Sequence, residues 1–208
     1  MKIRALRARP VLVPFTRPPV SASGAIPRAA LVLFDLETDA GVTGRSYIFG
    51  FHPWALGPIT GCAQALFAMI QGDALAPFEI EAKLRRQLAL LDSPGLVGLA
   101  LAGIDMAAWD ALAQARGVPL VTLLGGAVKP IPAYNSTGLW VQPVETLAAE
   151  AEALLAEGFT ALKLRVGRDD FHQDLAAVRA VKKRIGDAAT LMCDFNQRLT
   201  VNEALRRA

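Results

Sequence analysis

The chain has 208 residues, of which 53% are hydrophobic and 20% charged, and its net charge is +3. This composition predicts a folded protein with a core and argues against a disordered one. Lys and Arg are spread along the chain, so we expect no nucleic-acid partner. Cys62 and Cys193 are too few and too isolated for a disulfide framework or a zinc cluster, which favours reduced thiols and a cytoplasmic location.

The start of the chain predicts neither a leader nor a membrane anchor. Residues 1–10 are basic, but the apolar run that follows is interrupted by Pro14, so it is too short for a signal peptide. We expect no uncharged run long enough to span a bilayer and no membrane partner.

The first part of the chain reads as three strands followed by helices. Strands are predicted at residues 3–13, 29–38 and 45–51, and helices at 53–71, 77–91 and 96–116. A long loop, residues 15–28, is rich in Pro, Ser and Gly, and loops of that length are often functional or mobile. Gly125 and Gly126 close this part, which predicts a first domain at 1–126 and a second at 127–208.

The second part repeats a strand and a helix about every 30 residues. Strands are predicted at residues 131–136, 161–166 and 190–196, and helices at 144–157, 169–185 and 201–208. Such a series predicts a parallel sheet. Polar groups at the strand ends favour a (β/α) barrel, and an open α/β sheet is the alternative. No Gly-x-Gly-x-x-Gly follows a strand, so a Rossmann fold has little support.

Two of these strands carry the candidate chemistry. Alternation places Lys163 and Arg165 on one face of their strand, and Asp194 and Asn196 on one face of theirs. Two cations and a carboxylate at neighbouring strand ends could hold an anionic substrate and a metal ion.

Several motifs then resemble one family. Residues 103–110 (GIDMAAWD), 117–120 (GVPL) and 123–126 (LLGG), together with ALKLR at 161–165 and CDFNQ at 193–197, resemble the mandelate racemase branch of the enolase superfamily. The resemblance covers the whole chain. It implies an α+β capping domain followed by the first part of a (β/α) TIM-type barrel, about three of eight strands, truncated at the C-terminus.

The same resemblance implies an activity. The family uses Mg²⁺ to remove the proton next to a substrate carboxylate, which gives a stabilised enediolate. The expected substrate is a hydroxy acid or an acid sugar, the expected reaction a dehydration or a racemisation, and the expected full-length state a homo-oligomer.

Motif matching assigns roles to three polar residues. Asp194 would be the first metal ligand, with a helix cap as the alternative. Lys163 matches the first lysine of the family's Lys-x-Lys strand, which polarises the carboxylate or moves a proton. Asn196 would hydrogen-bond the substrate, with an ordinary turn residue as the alternative.

Arg165 departs from the family pattern, which has a second lysine there acting as a base. A guanidinium has a pKa above ~12, so deprotonating it near pH 7 would cost at least ~7 kcal/mol. Arg165 is therefore expected to clamp a carboxylate. This favours a one-base dehydration, whereas the likeness to mandelate racemase elsewhere favours a racemase.

Further substrate-binding residues follow from the resemblance. Tyr134 and Ser136 match cavity-lining positions, with core packing as the alternative for Tyr134. The loop between Val20 and Ile26 resembles the lid that sets substrate choice, and Tyr47 is expected to face it.

Other polar residues are assigned no catalysis. Asp105, Trp109 and Asp110 are expected to be structural, and His52 and His172 match no catalytic histidine.

The family's remaining metal carboxylates and its His-Asp pair come from later strands that this sequence does not contain. We therefore expect the isolated chain to be poorly soluble, to bind metal weakly and to lack turnover. The alternative is an inert fragment that at most packs against a partner.

Overall fold

The computed structural model describes residues 1–91 and 94–207. These residues form two compact units, the first made of Met1–Pro14 and Arg28–Lys129 and the second of Phe15–Pro27 and Pro130–Ala208. We call Phe15–Pro27 the inserted segment, because it groups with the second unit although it lies between two parts of the first. The predicted domain boundary after Gly126 stays a prediction.

The elements in chain order are β1 (Ile3–Pro14), β2 (Val20–Ser21), β3 (Gly24–Ala25), β4 (Arg28–Thr38), β5 (Thr43–Phe49), a 3₁₀ turn (Pro53–Ala55), α1 (Leu56–Ile70), α2 (Pro77–Gln87), α3 (Gly95–Arg116), α4 (Leu120–Leu123), α5 (Val144–Ala156), β6 (Ala161–Arg165), α6 (Phe171–Ile185), β7 (Thr190–Asp194) and α7 (Val201–Arg207).

An antiparallel sheet in the order β1-β4-β5 is the base of the first unit. Its central strand buries every second residue from Ala30 to Thr38, the pattern of a strand with one face on a core. The three predicted strands are confirmed. The third strand begins and ends two residues earlier than expected, and Phe51 beyond it has a left-handed φ of 61° that is incompatible with an extended strand.

Helix α3 lies directly against this sheet at two glycines. A Cβ placed on Gly44 would lie 1.9 Å from the carbonyl oxygen of Ala107, and one on Gly103 would lie 2.5 Å from the ring of Phe34. Both positions therefore require glycine, because any side chain would keep the helix and the strands further apart.

Two helices of the first unit contradict one expectation from the sequence. By length and composition alone, Pro53–Ile70 and Gly95–Arg116 are long and apolar enough to cross a membrane. The expectation that no uncharged run is long enough was wrong, since the first of these stretches contains no charged residue. In the structure each helix packs residues such as Ile59 and Ile104 into the core of the first unit.

The second unit contains a parallel pair of strands, β6 and β7, with α5 and α6 on their apolar side. Leu162 and Leu164 of β6 are fully buried there, against Ala151 of α5 and Val181 of α6. The strands and helices predicted for α5, β6, α6 and β7 are confirmed, and each end agrees with the prediction to within two residues.

The predicted strand at residues 131–136 is wrong. That stretch makes one isolated parallel bridge, between Asn135 and Leu162, and no ladder. Pro130 and Pro132 lack the N–H groups that a ladder requires, and Ile131 is 80% exposed.

Two predicted helices are longer than the helices that the structure describes. Helix α2 ends at Gln87, four residues before the predicted end. The predicted helix 201–208 is confirmed through Arg207, and Ala208 lies outside the described residues.

The close approach of α3 to the sheet gives a stability prediction. Gly103→Ala should destabilise the chain by about 1–3 kcal/mol in urea unfolding, because the new methyl group overlaps the Phe34 ring. The matched control is Gly61→Ala, also inside a helix but with nothing within 4 Å of the added Cβ, which should stabilise the chain by up to ~1 kcal/mol. Equal effects of the two substitutions would contradict the described packing.

Candidate active site

Strand β6 separates an apolar face from a charged one. Leu162 and Leu164 point into the core of the second unit, whereas Lys163 and Arg165 lie on the opposite face. The side chains of Lys163 and Arg165 are only 19% and 7% exposed. Two cations are thus held largely away from water, which requires a compensating anion.

Asp194 is that anion. The parallel register pairs Arg165 with Asp194 across β6 and β7. Its Oδ2 lies 3.1 Å from Lys163 Nζ and 3.8 Å from Arg165 Nε. The structure therefore brings the two predicted catalytic cations and the predicted metal ligand to one place, while the roles themselves stay predictions.

The Arg165 guanidinium is fixed on several sides. Its Nη2 donates to Ser136 Oγ at 2.8 Å, and its Cζ lies 4.5 Å from the centre of the Trp140 ring. Burial lowers the pKa of Arg165, and the negative charge of Asp194 opposes that shift. The guanidinium therefore remains a cation at neutral pH, as a carboxylate clamp requires.

Asp194 has a partner on each oxygen. Its Oδ1 accepts the backbone N–H of Asn196 at 2.8 Å, and its Oδ2 faces Lys163. Burial alone would raise the pKa of this carboxyl, but the Asn196 N–H and the two cations outweigh burial and lower it. The helix-cap alternative is wrong, because Thr200 and Glu203 cap α7 reciprocally.

Asn196 turns the chain after β7. Its φ of 48° is left-handed, a conformation that Asn tolerates better than most residues. The backbone of Asn196 therefore fits the alternative interpretation, in which this residue forms an ordinary turn. Its side-chain Oδ1 is buried and has no hydrogen-bond partner among residues 1–91 and 94–207, and its role toward a substrate stays a prediction.

Tyr134 and Ser136 join the same group. The Tyr134 ring centre lies 5.4 Å from Lys163 Nζ, and Ser136 bonds Arg165. Tyr134 is 46% exposed, so core packing does not explain its position.

The inserted segment forms a small hairpin, β2 paired with β3, that docks on the rest of the second unit. Val20 accepts the backbone N–H of Val141 at 3.0 Å, and Ala22 accepts from Arg198 Nη1 at 2.9 Å. Ile26 instead bonds within the segment, to Pro19. The segment predicted to be a lid is therefore packed down on the unit that carries Lys163.

Four other residues named from the sequence have no contact with this group among those described, and the substrate role of Tyr47 stays a prediction. Tyr47 belongs to the first unit, on β5, and is 63% exposed. Asp110 accepts the backbone N–H of Arg45, which is a structural role. His52 and His172 are exposed.

Sequence reasoning missed three residues that shape the site. Trp140 covers Arg165, and the largely buried Glu150 accepts from the backbone N–H of Leu139. Asp174, whose side chain is 4% exposed, accepts the backbone N–H of Gly167, two residues after β6. Trp140 lies in a stretch without periodicity, and the two acids lie on helices where a solvent-exposed position is the usual expectation.

The described residues do not form a magnesium site by themselves. Mg²⁺ requires six oxygens at octahedral positions. Asp194 is one carboxylate with both oxygens already engaged, and the described part of the chain contains no group of three or more His, Cys, Asp and Glu placed to hold a metal. Asp194 can contribute one ligand, and other oxygens have to supply the rest.

Comparison with known proteins identifies the family. Residues 4–125 match the model of the mandelate racemase / muconate lactonizing enzyme N-terminal domain, and residues 146–208 match the enolase C-terminal domain-like model. The chain belongs to the mandelate racemase / muconate lactonizing enzyme family. Its architecture is that family's capping domain followed by the first part of the barrel.

Solved structures of relatives support this placement. An enolase from alpha proteobacterium bal199 with bound magnesium is 43% identical, with a TM-score of 0.92 over 99% of this chain and 58% of that one. An enolase from Bradyrhizobium, complexed with magnesium and mandelic acid, is 40% identical, with a TM-score of 0.91 over 99% of this chain and 57% of that one.

Curated relatives have several activities. The 3,6-anhydro-alpha-L-galactonate cycloisomerase of Streptomyces coelicolor is 31% identical over 93% of this chain and 54% of its own length. Other relatives are named as epimerases and dehydratases. The chain spans about half the length of the curated relatives it matches.

The Asp194 charge gives a pH-dependent stability prediction. Asp194→Asn should destabilise the chain by about 1–2 kcal/mol at pH 7, because Arg165 and Lys163 lose their anion. The folded-state pKa of Asp194 is lowered, so its contribution is complete above the unfolded value of about 3.9 and is lost as the pH falls through the folded value.

Urea unfolding at several pH values between 7 and 3 measures this effect. The stability difference between wild type and Asp194→Asn should stay constant from pH 7 to about 4 and should shrink as the pH falls further. Asp187→Asn is the matched control, since Asp187 also pairs with a lysine but is fully exposed, and it should have little effect at any pH. A difference that is constant over this range would contradict the ion-paired Asp194.

Proposed function

We propose that this chain binds a small carboxylate through Lys163 and Arg165, as part of a site that removes the proton next to that carboxylate. The reaction would pass through an enediolate in a hydroxy-acid or sugar-acid dehydratase or racemase. The observation that carries this proposal is the convergence of both cations on Asp194, on one polar face of β6 and β7.

The two cations would have different tasks. An unperturbed guanidinium costs ~7 kcal/mol to deprotonate near pH 7, and Asp194 opposes the lowering of the Arg165 pKa by burial. Arg165 would therefore stay charged and would bind and orient the carboxylate together with Ser136. Lys163 is an amine and can exchange a proton with the substrate carbon. One exchanging group on this face favours dehydration over a racemisation that needs two opposed bases.

Magnesium fits this proposal as a group that Asp194 helps to hold. The relatives from bal199 and Bradyrhizobium contain it, and the ion neutralises charge that develops on a carboxylate. Mandelic acid in the Bradyrhizobium enolase supports a hydroxy acid as the substrate and keeps the racemase reading open.

A second candidate is a chain without turnover that at most packs against a partner. It is favoured by the single carboxylate on the polar face, because the described residues hold no cluster of three metal-binding groups. Carboxylate binding by the 208-residue chain follows only from the first candidate, so a binding measurement separates the two.

Carboxylate binding tests the proposed role of Arg165. We expect mandelate to bind the 208-residue chain in calorimetric titration, and Arg165→Met to weaken binding at least about tenfold through loss of a charged hydrogen-bond donor. Arg165→Lys should retain part of the affinity. Arg184→Met removes an exposed arginine of α6 and should leave binding unchanged. Binding that is the same in Arg165→Met and wild type would refute the clamp.

Deuterium exchange tests whether the 208-residue chain is catalytic by itself. In D₂O with Mg²⁺, we expect the 208-residue chain to incorporate no deuterium next to the carboxylate of mandelate or of acid sugars, and to bind Mg²⁺ too weakly to saturate at roughly 1 mM. The physical reason is that Asp194 alone supplies too few oxygens. Incorporation that disappears in Lys163→Met would show that the chain is catalytic. Exchange of an acid sugar without elimination would count against a dehydratase.

A further inference from the structure

The main contact of Trp140 is made by the face of its indole ring, which lies over the Arg165 guanidinium. Its centre lies 4.5 Å from Arg165 Cζ, within the distance of a cation–π contact. Its indole Nε1 is buried and has no hydrogen-bond partner in the part of the chain that the structure describes. A buried N–H without a partner is unfavourable, so the stack on the guanidinium is the interaction that accounts for this position.

The backbone on both sides of Trp140 is held in place. Leu139 is fully buried with a left-handed φ of 50°, a strained conformation for leucine. Its N–H donates to Glu150 at 3.1 Å, and its carbonyl accepts the N–H of Arg165 at 2.8 Å. On the other side, the N–H of Val141 donates to Val20 of the inserted segment at 3.0 Å.

Glu150 connects this stretch to the inserted segment. Its carboxylate accepts from Leu139, from Gln142 and from the guanidinium of Arg17, and its side chain is 11% exposed. Arg17 belongs to the inserted segment. One buried carboxylate therefore holds the stretch that carries Trp140 and is itself neutralised by the docked segment.

The N–H groups of the Arg165 guanidinium are what the Trp140 ring would orient. Nη2 donates to Ser136, and Nη1 donates to the backbone carbonyl of Lys163 at 3.4 Å. Nε has no hydrogen-bond partner among the described residues and lies 3.8 Å from Asp194, its ion-pair partner. A guanidinium binds a carboxylate through two parallel N–H groups, so the plane of the guanidinium has to be fixed. A stacked indole fixes that plane.

We propose that Trp140 is a positioning residue for Arg165, and that docking of the inserted segment fixes the position of Trp140 through Glu150 and Val141. The carboxylate that Arg165 would receive rests on the proposed function above. The positioning itself is a property of the ligand-free chain.

Proton exchange at Arg165 tests the positioning without any ligand. In the ¹⁵N-labelled 208-residue chain, the exchange rate of the Arg165 Nε–H with water should rise at least about tenfold in Trp140→Leu, which keeps an apolar side chain without a π face. It should change by less than about threefold in Trp140→Phe, which keeps an aromatic face. Trp54→Leu removes an exposed tryptophan of the first unit and should have no effect.

Equal rates in Trp140→Leu and wild type would overturn the proposal, and so would equal increases in the leucine and phenylalanine variants. The second result would mean that Trp140 acts through its size alone.

The contribution of the inserted segment has its own variant, which leaves the core intact. Arg17 is 55% exposed, and Arg17→Met should increase Arg165 Nε–H exchange and shift the Trp140 indole signal. Arg184→Met is the matched control, because Arg184 is similarly exposed and pairs with Glu152 of the same helix, α5. An unchanged Arg165 signal in Arg17→Met would overturn the link to the segment.

Mandelate binding separates this inference from the proposed function. If wild type binds mandelate, Trp140→Leu should weaken binding about tenfold and Trp140→Phe by less than threefold. If wild type binds none, the proposed function fails, and the exchange rates still decide the role of Trp140.

Discussion

Burial of the Arg165 guanidinium is the constraint on which the second unit depends. A cation that is 7% exposed needs a carboxylate beside it, and the parallel register supplies one by pairing Arg165 with Asp194. A shift of one residue would place Cys193 opposite Arg165 and turn Leu191 and Phe195 away from the core that they pack against. The ion pair and the apolar side of the sheet therefore specify the same register.

The charged face was predictable because strands have a period of two. Leu162 and Leu164 alternate with Lys163 and Arg165, and this pattern alone assigns each side chain to a face of β6. The resemblance to the family then placed Asp194 on the neighbouring strand. Both inferences rest on local pattern, and the structure brings together the residues that they named.

The surroundings of Arg165 were not predictable in the same way. Trp140 follows a leucine with a left-handed φ, and a sequence gives no sign of such a conformation at a residue other than Gly or Asn. Residues 131–136 look like a strand by composition, but Pro132 and the preceding Pro130 limit pairing to the bridge at Asn135. The loop at 15–28 concealed a hairpin for a related reason, since each of its strands has two residues and shows no alternation.

The path of the chain has a consequence for any attempt to divide this protein. The second unit takes thirteen residues, Phe15–Pro27, from the connection that joins β1 to β4, so no single cleavage point separates the units. A peptide beginning at Pro130 would lack Arg17 and Val20 and would leave Glu150 without its arginine. Conversely, replacing that connection by a short turn would preserve every strand pair of the first sheet. The second unit would then lose the contacts that the inserted segment makes with Glu150, Val141 and Arg198. Exchange of either unit among related proteins therefore requires three junctions chosen together, after Pro14, Pro27 and Lys129.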